Sequence, residues 1–143
     1  MNNVIVRDYD IPANDFTAAG EASSSVRKIL VQLGVSPYVV KRTSIAMYEA
    51  EINAVIHGHG GKAHVEIDGS KVYIRISDEG PGIPDLELAM QEGYSTAPDS
   101  IREMGFGAGM GLSNIKKHSD IMKIDTEVNK GTTVHITVFF NAI

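Results

Sequence analysis

Residues 63–82 read AHVEIDGSKVYIRISDEGPG. Ala63, Val65 and Ile67 alternate with His64, Glu66 and Asp68, and Val72, Ile74 and Ile76 alternate with Tyr73, Arg75 and Ser77. Asp68-Gly69-Ser70 between them is turn chemistry, so the stretch predicts a hairpin whose strands each have one apolar and one polar face. Asp78-Glu79-Gly80-Pro81-Gly82 follows directly on the second strand. Taken alone, that run serves as a strand-ending turn as readily as a site. An aspartate at a strand end can also accept a hydrogen bond from the exocyclic amine of a base. Gly82 lets backbone approach a ring closely.

Outward from the hairpin, the same periodicities recur. Met122, Ile124, Thr126 and Val128 alternate, as do Val134, Ile136, Val138 and Phe140, and Asn129-Lys130-Gly131 joins the two runs. Val4 to Tyr9 predicts a further strand, ended by Asp10-Ile11-Pro12. Asn14 or Asp15 can cap a helix whose apolar positions step as Phe16, Ala19, Val26, Leu30 and Leu33, with Gly34 as its stop. Ser36-Pro37 opens a second helix from about Tyr38 to about His57, closed by Gly58 and the Gly60-Gly61 pair. Leu112 to His118 predicts a third, and one short helical turn fits Asp85 to Met90. Strands with one apolar face plus amphipathic helices make a two-layer α/β sandwich. The expected sheet is mixed and mainly antiparallel with the helices on one face, in a single domain over residues 1–143. The other face carries Tyr73, Arg75, His135 and Phe139.

Composition narrows the function classes. The chain has 143 residues, enough for one core of ordinary size. It contains no cysteine, which removes disulfides, thiolate metal sites and cysteine nucleophiles. Thirteen basic residues stand against 18 acidic ones, a formal charge of -5 without a basic run. That balance argues against direct nucleic-acid or anionic-membrane binding and for proteins or a small ligand. The amino terminus lacks a signal-peptide pattern, and no apolar run approaches membrane-spanning length. A cytoplasmic location is expected.

The chemistry-bearing residues lie in four places. Glu49, Asn53 and His57 recur every four residues and stack on one face of the second helix, beside an apolar stripe of Ile45, Ile52 and Ile56. A carboxylate and an amide there suit the polarising of a water and the ligation of Mg²⁺, or simply the capping of nearby loops. His57 at a helix end serves equally as a partner for the last carbonyls. The Asp78 run is the second place. The third is Gly105-Phe106-Gly107-Ala108-Gly109-Met110-Gly111-Leu112, whose bare N–H groups and following helix suit phosphate, or else form a flexible lid. It fits neither the dinucleotide fingerprint nor the P-loop spacing. Gly131-Thr132-Thr133, by itself only a turn and a strand start, is the fourth.

In this order and spacing the four runs resemble the ATP-site boxes of the GHKL ATPases, which include gyrase B, HSP90, histidine kinases and MutL. The resemblance covers nearly the whole chain and implies the family's Bergerat sandwich and an ATP/ADP site. It implies that Asn53 ligates Mg²⁺ and that Glu49 lies at the general base. Asp78 would bind the adenine amine, with Gly80 and Gly82 against the ring. Gly107, Ala108, Gly109, Met110, Gly111 and Leu112 would close over the phosphates, with His57 also at the site. Thr132 would support the adenine pocket through its hydroxyl. A lid would span about 92–110, and Arg102 and Lys116 are the candidates to face the γ-phosphate.

Asn53-Ala54 followed by His57-Gly58, and Glu92-Gly93-Tyr94-Ser95-Thr96 ahead of the glycine box, are similar to the small free-standing branch: anti-sigma factors and stressosome-type switch kinases. Neither a phosphoacceptor helix pair nor a transducer domain is expected. The branch implies transfer of the ATP γ-phosphate to a serine or threonine of a STAS-domain anti-anti-sigma protein. The alternatives are nucleotide-dependent sequestration of a sigma factor, or an ATP-dependent regulatory binding module without kinase activity. Homodimerisation is an expectation carried over from the same branch.

Overall fold

The computed structural model describes residues 3–13, 18–56, 59–83, 90 and 111–140. Five strands, β1 (Ile5–Ile11), β2 (Gly61–Ile67), β3 (Lys71–Asp78), β4 (Ile121–Glu127) and β5 (Gly131–Phe139), form one sheet in the order β1-β2-β3-β5-β4. All four pairings are antiparallel, which sharpens the expectation of a mixed sheet. Three helices, α1 (Glu21–Gln32), α2 (Pro37–Ile56) and α3 (Gly111–His118), complete the described architecture. Helix α2 packs on β3 and β5, with α1 and α3 against it.

The alternation read from the sequence fixes the register. Val65, Ile67, Val72, Ile74, Ile76, Val134, Ile136 and Val138 are buried beneath the helices. Opposite them a polar row crosses the whole sheet, Asp8 to His64 to Arg75 to His135 to Lys123, each paired with the next across neighbouring strands. The hairpin turn is held by Asp68, whose Oδ1 accepts from the Ser70 N–H at 2.7 Å, the Ser70 hydroxyl at 2.9 Å and the Lys71 N–H at 3.0 Å. Those bonds, the Ser70 N–H first, hold the Asp68 carboxyl below the usual carboxylate range.

The helix ends follow local rules. Ser36 Oγ accepts from the Val39 N–H at 3.4 Å, with Pro37 as the first helical residue of α2. Helix α1 stops where Val35 N–H bonds the Leu30 carbonyl at 3.1 Å around Gly34.

Several sequence expectations are corrected. Strand β1 runs on to Ile11, because Ile11 pairs with Gly61. Helix α1 starts at Glu21, after a turn at Ala18–Gly20, and Leu33 is its exposed C-cap. The proposed caps Asn14 and Asp15, with Phe16, lie outside the described residues, as do 85–89 of the short helical turn. Val128 sits in the β4–β5 turn and is exposed. On α2 the buried set is Val39, Val40, Thr43, Ala46, Met47, Ala50, Glu51, Ile52, Ala54 and Val55, while Ile45 and Ile56 are only half-buried. A helix packed against a sheet and two neighbouring helices buries a wide arc, and small residues let its backbone come close.

Two predictions follow from the packing. Thr43 is fully buried, and its Oγ1 is without a hydrogen-bond partner among the described residues. Thr43→Val is expected to raise stability by about 1 kcal/mol, measured by urea unfolding. On the polar face, His64 Nδ1 lies 2.8 Å from Asp8 Oδ1 and Nε2 lies 2.8 Å from Glu66 Oε2. Only the doubly protonated ring donates to both. These bonds, to Asp8 first and then Glu66, push the imidazole above its ordinary 6.5. The stabilisation is therefore complete below about pH 6.5 and is lost as pH rises through the raised folded value. Melting temperatures of wild type and His64→Gln should differ most near pH 6 and converge near pH 8.5.

Candidate functional site

The apolar row of β3 runs Val72, Ile74, Ile76 and ends on Asp78, so the strand turns polar where it leaves the core. Asp78 Oδ1 accepts from the Gly80 N–H at 2.9 Å and from the Thr132 N–H at 3.2 Å. One carboxylate oxygen thus ties the loop after β3 to the start of β5. The same loop is held from β4 and the turn after it: the Asn129 N–H donates to the Pro81 carbonyl at 2.7 Å, and the Ile83 N–H donates to Thr126 Oγ1 at 2.8 Å. Gly82 has φ +79°, and a Cβ there would lie 2.4 Å from the Glu127 carbonyl oxygen, so no larger residue fits without moving the turn. Thr132 is buried, with its Oγ1 2.9 Å from Thr126 Oγ1.

A second group meets where α2 faces α3. A Cβ on Gly111 would sit 3.0 Å from both Nδ2 and Oδ1 of Asn53, which places the Asn53 amide against the first residue of α3. Leu112 and Ile115 are buried in the core and fix that helix end. The positive dipole end of α3 therefore lies beside an amide able both to donate and to accept.

Glu49 stands one turn before Asn53 on the same helix face, at a level where α2 borders α1. It lines a groove of about 750 Å³ between α1 and α2, together with Gly20, Ser23, Ser24, Lys28 and Tyr48. The Tyr48 phenol is pushed up by burial and then by the carboxylates of Glu49 and Glu51. Glu51 itself is 2 % exposed. Its oxygens accept from the backbone N–H groups of Gly20 at 2.8 Å, Ala22 at 3.3 Å and Ser23 at 3.0 Å. It supplies the cap that α1 lacks, since Gly20 stands at the N-cap with φ +97° and no side chain of its own.

The structure thus bonds Asp78 to Gly80 and Thr132, seats Gly82 beside them against Glu127, and sets the Asn53 amide against Gly111, the residue before the buried Leu112. His57, Gly107, Ala108, Gly109, Met110 and the 92–110 segment, Arg102 included, lie outside the described residues. Lys116 is exposed near the end of α3. Two residues were missed. Thr126 was legible: the Asn129-Lys130-Gly131 turn sets a register that pairs it with Thr132. Glu51 gave no signal, because nothing in its own helix indicates that the start of α1 comes to it.

The model of the histidine kinase-, DNA gyrase B- and HSP90-like ATPases matches residues 39–142. The anti-sigma F factor of Bacillus licheniformis is 34% identical over 132 residues, 85% of this chain and 87% of its own length. That of Geobacillus stearothermophilus is 32% identical over 131 residues, 85% of this chain and 86% of its own. Among solved structures, the RsbU and RsbW domains of a Mycobacterium tuberculosis protein superpose with a TM-score of 0.64 at 18% identity, over 94% of this chain. This chain spans 32% of that one. The SiaB–SiaC complex of Pseudomonas aeruginosa gives 0.57 at 15% identity, over 92% of this chain and 88% of that one. These two likenesses establish the fold.

Because a methyl on Gly111 would press on both ends of the Asn53 amide, Gly111→Ala should weaken ATP binding about tenfold. Calorimetric titration checks this, with the melting temperature as a control for folding.

Proposed function

The chain belongs to the histidine kinase-, DNA gyrase B- and HSP90-like ATPase family, and from that premise we propose that it is an ATP-dependent protein-serine/threonine kinase of the anti-sigma regulatory type. The observation that carries the reading is the extended similarity to anti-sigma F factors, over 85% of this chain. ATP/ADP binding follows from the family; the transfer, the metal and the partner are proposed.

In this reading the acceptor is a serine or threonine of a STAS-domain anti-anti-sigma protein. Its hydroxyl oxygen attacks the γ-phosphorus, the bond to the β-phosphate oxygen breaks, ADP leaves, and the hydroxyl proton passes to the Glu49 carboxylate. Asp78 would accept from the adenine amine, with Gly80, Gly82 and Thr132 around the ring. The N–H groups of Gly107, Ala108, Gly109, Met110, Gly111 and Leu112 would cradle the phosphates, with His57 nearby. The Asn53 amide against the start of α3 fits a Mg²⁺ ligand, since that ion needs few protein oxygens when phosphates supply the rest. Mg²⁺ held there would neutralise charge on the phosphates. Residues 1–143 would act as one domain with a lid at about 92–110, in the cytoplasm and as a homodimer. No helix among the described residues is long and apolar enough to cross a membrane.

A second reading is favoured by the relatives' printed name, anti-sigma F factor: nucleotide-dependent sequestration of a sigma factor, with transfer secondary. The two separate in one experiment. Purified chain with radiolabelled ATP, Mg²⁺ and a STAS-domain protein from the same cell should yield phosphorylated STAS protein. Glu49→Ala should cut the rate by about 10²–10⁴ while ADP affinity stays within about threefold. Asn53→Ala should abolish Mg²⁺-dependent ATP binding. Undiminished transfer in Glu49→Ala would remove Glu49 as base. A stable sigma complex without transfer would favour sequestration.

A further inference from the structure

The Thr126 hydroxyl lies behind the proposed ring pocket without being one of its family residues. A hydroxyl has one proton and two lone pairs. Three groups meet Thr126 Oγ1: the Ile83 N–H at 2.8 Å, the Thr132 hydroxyl at 2.9 Å and the Gly131 carbonyl oxygen at 3.3 Å. The Ile83 N–H can only donate, and the Gly131 carbonyl can only accept. All three contacts are satisfied in one arrangement. Thr126 gives its proton to Gly131 and takes protons from Ile83 and from Thr132.

That arrangement has a consequence for Thr132. With its proton committed to Thr126, the Thr132 hydroxyl offers only lone pairs beside Asp78, whose Oδ1 already holds the Thr132 N–H at 3.2 Å. A surface of acceptors suits the exocyclic amine of adenine and repels the carbonyl oxygen at the same ring position of guanine. We infer that Thr126 is a positioning residue that sets the purine preference of the site. It fixes the polarity of the Thr132 hydroxyl and, through Ile83, the seat of the loop carrying Gly82. This rests on the nucleotide reading of the preceding subsection.

The test is calorimetric titration of the full chain with ADP and with GDP. Thr126→Val keeps the shape and removes the hydroxyl. It should weaken ADP about tenfold and leave GDP within about threefold, so the ADP-over-GDP preference falls about tenfold. Thr126→Ser restores the hydroxyl and should return the preference to within about threefold of wild type. Thr133→Val is the control: its Oγ1 meets Ser77 Oγ at 3.3 Å in the neighbouring register, and the preference should not change. Should Thr126→Val fail to fold, Thr126→Ala reads the same ratio. An unchanged preference, equal loss of both nucleotides, or failure of the serine variant to rescue overturns the inference. Failure of the wild-type chain to bind ADP would show first and would overturn the nucleotide reading beneath it.

Discussion

Helix α1 is attached to the rest of the protein by a buried carboxylate from another helix. The first N–H groups of any helix need partners, and Gly20 at the N-cap cannot provide one. Glu51 reaches across from α2 and takes three of them. A charged group at 2 % exposure would be costly alone. Three N–H donors and the positive end of α1 compensate it. The contact sets where α1 sits on α2. It thereby sets the second wall of the groove that holds Glu49, and the position of Ser25, whose hydroxyl lies 2.9 Å from the Tyr9 phenol of β1.

The sheet separates two jobs by face and by end. Its inner face is apolar until the strands run out of core, and the polar cluster at Asp78 begins there. Its outer face is a solvated field of paired charges and rings. On it the Tyr73 hydroxyl bonds His135 Nδ1 at 2.6 Å and Asp125 bonds His135 Nε2 at 3.0 Å. The candidate site therefore draws on a sheet end and two helices.

Much of this was legible in the sequence, for reasons that differ by element. Strands β2, β3 and β5 are read from alternation because one face of each is buried, so period two survives. The α2 N-cap is read from Ser36-Pro37 because its chemistry is local. The buried arc of α2 is not, because a helix enclosed on three sides no longer shows one stripe; alanines and Thr43 face inward where isoleucines were expected. The start of α1 is not legible either, since its cap comes from Glu51, 31 positions away from Gly20. At the candidate site, Asp78, Gly82 and Asn53 were visible as spacing. Thr126 emerged only with the strand register, because a side chain that acts through a neighbour carries no motif of its own.

The Asp78–Thr132 bond joins groups 54 positions apart in the chain. The β3–β5 ladder beside it pairs Ser77 with Thr133 and Lys71 with Phe139. Such closures cost the chain entropy before any contact repays it, so they slow folding. The proposed ring pocket would lie across this seam, with no counterpart in the unfolded chain. A nucleotide held there favours only the folded form. By mass action it adds about 2.7 kcal/mol to folding when present at a hundred times its dissociation constant. Resistance to proteolysis would then rise with nucleotide supply, because cleavage draws on the opened chain that the ligand depletes.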